Sequence, residues 1–199
     1  MESDLKSQME KSISKDLEYI LNYKHIAVEA KNAEYFSKMT IIKPIANNVY
    51  PQIYVDLIQR FDHDEAIRHL KSMGTRVSKY FYSVFPKMLT KPQKFTEIFS
   101  EVAESHLNSK LIFKDKVQED KKLKSCIIEV KDCFFCSEIT LFQNLKIPYC
   151  IPIMGMYENL YNIKSVYNKG MNPRLIYLNA LKSAEYDGDT CEYKLTVID

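Results

Sequence analysis

Leu111-Ile-Phe-Lys-Asp-Lys-Val117 and Cys126-Ile-Ile-Glu-Val130, joined through the polar Glu119-Asp-Lys-Lys122, mark where the hydrophobic period of this chain changes. Upstream, apolar residues recur every three or four positions, the spacing of one helix face. In these two runs the alternation suits a pair of antiparallel strands with a polar connection. Downstream the helical period returns over 137–146 and 151–162, with Pro152 in the first turn of the second helix. Strands are then expected at about 163–168, 174–185 and 190–198, with Asp187-Gly188 as a hairpin turn. This order predicts an α+β domain in which helices pack on one antiparallel sheet. In the last strand Cys191, Tyr193, Leu195 and Val197 share one face, and Glu192, Lys194 and Thr196 the other.

The upstream helices are read from their spacing and caps. Leu5, Met9, Ile13, Leu17, Ile20 and Leu21 predict a helix over 3–22. It belongs to an N-terminal helical extension, residues 1–32, ahead of a single α+β domain over 33–199. Residues 34–60 are helical in two pieces, interrupted by Pro44 and Pro51, and Asn48 is a candidate cap for the second. Asp62, with Glu65 three residues on, starts a helix that runs to about Phe85. Gly74 in its middle costs about 1 kcal/mol relative to Ala and suits the close approach of another backbone. Pro86 ends that helix, and Pro92 opens another through Phe95, Ile98, Phe99, Val102 and Leu107.

Bulk properties narrow the function. The chain has 199 residues, 46% of them hydrophobic and 27% charged, as in a soluble globular protein. A net charge of +2 gives no argument for a nucleic-acid surface. The polar N-terminus lacks the apolar core of a signal peptide, and no run is long enough for a transmembrane segment. A cytoplasmic protein with reduced cysteines is the expectation, and the odd count of 5 speaks against a complete disulfide framework.

Four of those cysteines fall in the last third. Cys133-Phe-Phe-Cys136 has the spacing that lets two thiolates share a metal, and Cys150 and Cys191 follow singly. Buried free cysteines also serve as small apolar core residues. His25, His63, His69 and His106 stand apart from any cysteine or serine motif, and no phosphate-loop, zinc-protease or nucleophile-elbow motif is present. Met, Tyr and Phe crowd two helical faces, where Met73, Val77, Tyr80 and Phe81 on one and Ile153, Met154 and Tyr157 on the other are candidates to line an apolar pocket.

Leu70-Lys-Ser-Met-Gly74-Thr-Arg-Val-Ser-Lys-Tyr-Phe81 resembles the hydrophobic Met/Leu-Gly helix of 4-vinyl-reductase-like domains and of TRAPP vesicle-tethering subunits, which share one α+β fold with heme-based nitric-oxide sensors as distant relatives. Cys150-Ile-Pro-Ile-Met-Gly155 looks like the vinyl-reductase Cys-to-Gly helix start. Ala184-Glu-Tyr-Asp-Gly188-Asp-Thr-Cys191-Glu-Tyr resembles that family's hairpin, with one residue fewer between Asp and Cys. It also looks like the ending of 2-aminothiazoline-4-carboxylate hydrolase-like proteins. The resemblance covers residues 33–199. It implies a non-catalytic module that binds a small hydrophobic ligand or acyl chain and forms a homodimer, or a hetero-oligomer with a related chain, in sensing or trafficking.

Two alternatives stay open. The hydrolase-like ending implies an enzyme with Cys150 or Cys191 as nucleophile, although Ile151-Pro-Ile-Met154 replaces the acidic residue that family wants. Zinc-bearing vinyl-reductase relatives imply a regulatory zinc site. There the helix Cys and hairpin Cys match Cys150 and Cys191, but the two strand ligands fall on Ala180 and Ser183. Cys133 and Cys136 are left to complete a zinc site, provided Pro148 lets the chain return after a helix over 137–146. The cysteine that TRAPP subunits acylate has no clear counterpart, since no Cys precedes Cys126.

Overall fold

The computed structural model describes residues 2–22, 49–90, 93–107, 109–133, 136, 147–168, 174–182 and 190–198. Its elements are α1 (Glu2–Asn22), α2 (Tyr50–Arg60), α3 (His63–Val84), the short α4 (Pro86–Thr90), α5 (Phe95–His106), β1 (Lys110–Glu119), β2 (Lys122–Lys131), α6 (Ile151–Tyr167), β3 (Leu175–Lys182) and β4 (Thr190–Ile198). The predicted class holds: helices cover one four-stranded antiparallel sheet of order β1-β2-β4-β3.

The hairpin read from the period change forms. Asp120 and Lys121, both at positive φ, make its two-residue turn, the backbone that matches the twist of paired strands. On the inner face Cys126, Ile128 and Val130 of β2 oppose Leu195, Tyr193 and Cys191 of β4. These side chains are buried in the hydrophobic core, with α6 packed on β3 and α5 on β1 to either side.

Caps and prolines place the helices. Asp62 caps α3, its carboxylate accepting from the Glu65 N–H at 2.8 Å. Glu97 accepts from the Lys94 N–H at 3.1 Å at the start of α5. The α2 cap is Val49 and provides no side-chain bond. Asn48, Pro44, Pro92, the predicted helix over 137–146 and the Asp187-Gly188 turn lie outside the described residues.

One element is corrected. Residues 163–168, read as a strand, are the last turns of α6, which runs to Tyr167. This helix lies between the sheet and α3, with α1 across both helices. It is therefore buried nearly all round and shows no polar stripe to mark its period. Polar side chains inside it are bound to specific partners. Asn162 donates to the Ile176 carbonyl at 2.9 Å and accepts the Ile176 N–H at 2.8 Å. Lys164 donates to the Met88 carbonyl and to Gln93 at 2.7 Å.

Gly74 has the role its position suggested. A Cβ there would lie 1.8 Å from the Pro152 carbonyl oxygen, and one on Gly155 would lie 2.4 Å from that of Lys71. The α3 and α6 backbones cross at these two glycines.

Candidate metal centre

Three cysteines converge where β2 leaves the sheet and β4 enters it, and a fourth, Cys150, stands nearby where α6 begins. Asp132, at φ 54, turns the chain out of β2. Ser109 holds that bend by donating to the Asp132 carbonyl at 2.9 Å. The Cys136 N–H then donates to the Cys133 carbonyl at 2.9 Å and closes a tight turn. Cys191, on the inner face of β4, pairs with Val130 beside this exit. The Sγ atoms of Cys133, Cys136 and Cys191 all lie within 4.8 Å of one another, and those of Cys136 and Cys191 are 3.5 Å apart.

Cys150 arrives from a different direction. It precedes Ile151, and its carbonyl accepts the Ile153 N–H at 3.0 Å as the first bond of α6. Its thiol is close enough to act on that of Cys136, but it does not belong to the three sulfurs that lie within 4.8 Å of one another. Residues of α2 position this segment: Tyr50 donates to the Tyr149 carbonyl at 2.7 Å, and Tyr54 donates to the Ile147 carbonyl. The Tyr50 and Tyr149 rings meet at 4.5 Å, tilted by 59°.

All four thiols are buried and free of disulfide. Side-chain hydrogen bonds with Cys133, Cys150 and Cys191, with burial added, hold the Cys136 thiol far above its usual value. Cys126 sits apart, on β2 opposite Leu195, with its thiol pushed up to about 11 by burial.

Two phenols complete the surroundings. Tyr193 is two residues beyond Cys191 on the same strand face, and Tyr157 is two helical turns beyond Cys150. Both are buried, and neither hydroxyl has a hydrogen-bond partner among the described residues. Burial, with the charges of the nearby cysteines, keeps both phenols protonated.

This donor set fits a thiophilic ion such as zinc. Sulfurs around tetrahedral zinc stand roughly 3.8 Å apart, given Zn–S bonds of about 2.3 Å. The 3.5 Å separation of Cys136 and Cys191 is near that spacing. Cys150 stands at the N-terminus of a 17-residue helix.

The proposed apolar lining divides. Phe81, Ile153, Met154 and Tyr157 belong to the buried core, and Met73 packs against it. Val77 and Tyr80, about half exposed at 51% and 50%, lie on the outer face of α3. The helix pair that carries these residues is packed through its glycines, and α6 itself is interior. His63 and His69 are exposed on α3, and His69 packs on Phe61 at 4.5 Å.

Helices on one face of a four-stranded antiparallel sheet, with a central glycine-crossed pair, define a known architecture. No protein-family model and no curated protein matches the chain. Among solved structures it is similar to trafficking protein particle complex subunit 3 from Naegleria fowleri, described as covalently bound to palmitic acid. Identity is 11%, the TM-score is 0.59, and the match covers 81% of this chain and 98% of that one. The chain has a TRAPP-subunit-like fold. No helix among the described residues is long and apolar enough to cross a membrane.

Proposed function

We propose that this chain is a non-catalytic binding and assembly module of the trafficking-subunit type. The carrying observation is the fold likeness, which extends over 98% of a subunit that holds palmitic acid. On this reading the protein pairs with itself or with a related chain, and a small apolar molecule or acyl chain lies against the α3–α6 pair. Val77 and Tyr80, exposed on α3, belong to the assembly surface, and Met73, Phe81, Ile153, Met154 and Tyr157 to the apolar interior. Without a cysteine before Cys126 in the chain, an acyl chain would be held by packing alone. Native mass spectrometry of purified protein tests this. A dimer or a co-purifying apolar molecule is expected, and a strict monomer carrying nothing rules the reading out.

A second reading has its own observation. On this reading the clustered thiols of Cys133, Cys136 and Cys191, completed by the neighbouring Cys150, form a structural zinc site that stabilises the module. Four thiolates on one ion tie β2, β4 and α6 together, and such sites add folding free energy directly. The hydrolase alternative is weaker, because Cys150 and Cys191 are fully buried among tyrosines and other cysteines, whereas a nucleophile needs access and a basic partner. Elemental analysis of protein prepared without added metal should find close to one equivalent of zinc. Less than about a tenth of an equivalent dismisses the site.

A further inference from the structure

We propose that two copies of this chain pair through the outer ridge of α3, the two ridges running antiparallel about a twofold axis opposite Gly74. This rests on the pairing reading above and names the surface that carries it. The motivating observation is the order of residues along the exposed side of the helix. Arg68, Ser72, Arg76 and Tyr80 follow one another at four-residue steps, and all four are exposed. They form one ridge about 18 Å long.

These positions are symmetric about residue 74, which itself faces inward to α6. A twofold axis there sets Arg68 of one copy opposite Tyr80 of the other, and Ser72 opposite Arg76, so that each pair occurs twice. Both pairs are chemically favourable. A guanidinium packs well over the face of an aromatic ring, and the Tyr80 ring is half exposed. Ser72 is small enough to let the two helices approach, and its hydroxyl can accept from the Arg76 guanidinium. Val77, exposed beside the ridge, is covered by the same approach.

Charge selects the direction and the occupant. The helix opens on Asp62, Asp64 and Glu65, and from Ala66 to Lys94 the chain has no acidic residue. Lys71 and Lys79 turn aside to Glu158 and Asp16. Arg68 reaches Glu65 only at 3.7 Å, Arg76 makes no ion pair among the described residues, and Lys87 beyond the helix is exposed. Parallel ridges would set like charges side by side. Antiparallel ridges bring Asp64, whose side chain is almost fully exposed, towards Lys87 of the other copy, and they oppose the two helix dipoles. A wholly acidic partner would suit the arginines and repel Asp64 and Glu65. A second copy of this helix suits both ends.

Ser72 provides the test, because it is exposed and its replacement leaves the fold alone. Dimer dissociation of the full chain is measured by sedimentation over a range of concentrations. Ser72→Glu sets a carboxylate opposite Arg76 twice and should tighten the dimer about 10-fold, whereas Ser72→Arg should weaken it about 10-fold. Added salt should shrink both effects. Tyr80→Ala should weaken the dimer about 10-fold or more, and Leu181→Ala, exposed on β3, should leave it unchanged. A wild-type dimer that none of the α3 variants alters overturns this surface and leaves pairing elsewhere on the chain standing. Shifts of the same sign for Ser72→Glu and Ser72→Arg also overturn it, because the twofold contact requires opposite signs. A monomer that carries an apolar molecule overturns it and leaves the binding reading. A monomer that carries nothing removes both readings together.

Discussion

Gly74 and Gly155 meet with no side chain between them. A methyl on Gly74 would sit 1.8 Å from a carbonyl oxygen that is itself part of α6. Neither backbone can yield without moving a whole helix. Gly74→Ala gains about 1 kcal/mol in helix propensity and loses more than about 3 kcal/mol to the overlap. Urea unfolding should show a marked net loss for this variant, and for Gly155→Ala as well. A midpoint unchanged from wild type for either would mean that the helices are not in backbone contact.

Glu158 carries a pH dependence. It accepts from Lys71 at 2.7 Å and from the Leu178 N–H at 2.7 Å, joining α3, α6 and β3. Lys71 also lies over the Tyr177 ring, 3.8 Å from its centre. Burial raises the Glu158 carboxyl above its usual range, and Lys71 and the Leu178 N–H lower it only in part. The folded state thus holds this proton more tightly than the unfolded chain does. The corresponding stability is complete below the unfolded value, about 4.3, and is lost as pH rises through the folded one. Glu158→Gln cannot ionise. Its stability relative to wild type should therefore improve as pH rises from about 4 towards neutrality. The opposite trend, measured by urea unfolding at several pH values, would show that the ion pair outweighs desolvation.

Among the elements, α1 is attached by a mixed contact. Ile13 and Leu17 are buried against the core, and Asp16 between them accepts from Lys79 of α3. The other Asp16 oxygen is buried without a partner among the described residues. Lys79→Ala strands this carboxylate and should cost about 2 kcal/mol, less than a fully buried pair because Lys79 still meets water. The double variant Asp16→Leu/Lys79→Met should recover most of the loss. Limited proteolysis within α1 follows the effect, and equal cleavage of wild type and Lys79→Ala would sink it.

The same elements show what the sequence reveals and what it hides. The β1–β2 hairpin, the Asp62 cap of α3 and the inner face of β4 are local, so period and capping chemistry are enough to find them. The end of α6 is not, because a helix enclosed by sheet and helices has no polar face, and Ile163 to Tyr167 fits a strand equally well. The α3–α6 pair is found in sequence only as apolar faces. The outward turn of Val77 and Tyr80 depends on where the glycine crossing fixes the rotation of α3. The cysteine cluster is legible as residue type. Its convergence depends on β4 lying next to β2, which no local pattern records.

The fold as a whole ties distant segments together. Four of its five buried thiols come from just past the end of β2, the start of α6 and the start of β4. The α3–α6 crossing is locked by Tyr82 donating to the Leu160 carbonyl at 2.5 Å and by Asn159 donating to Ser78 at 2.7 Å. Local interactions alone account for few of these contacts.

The sheet order has a kinetic consequence. Among the described strands β4 comes last in the chain, yet it lies between β2 and β3 and pairs Ser125 with Thr196 and Lys131 with Thr190. The hairpin of β1 and β2 can close early, but the inner edge of β2 waits for a strand far along the chain. Long closures of this kind slow folding. Until β4 arrives, Cys126-Ile-Ile-Glu-Val130 presents unpaired backbone and apolar side chains, a template that another copy can occupy. Refolding from urea should therefore lose yield as protein concentration rises, while the unfolding rate stays constant. A yield independent of concentration would mean that β2 is covered from the outset.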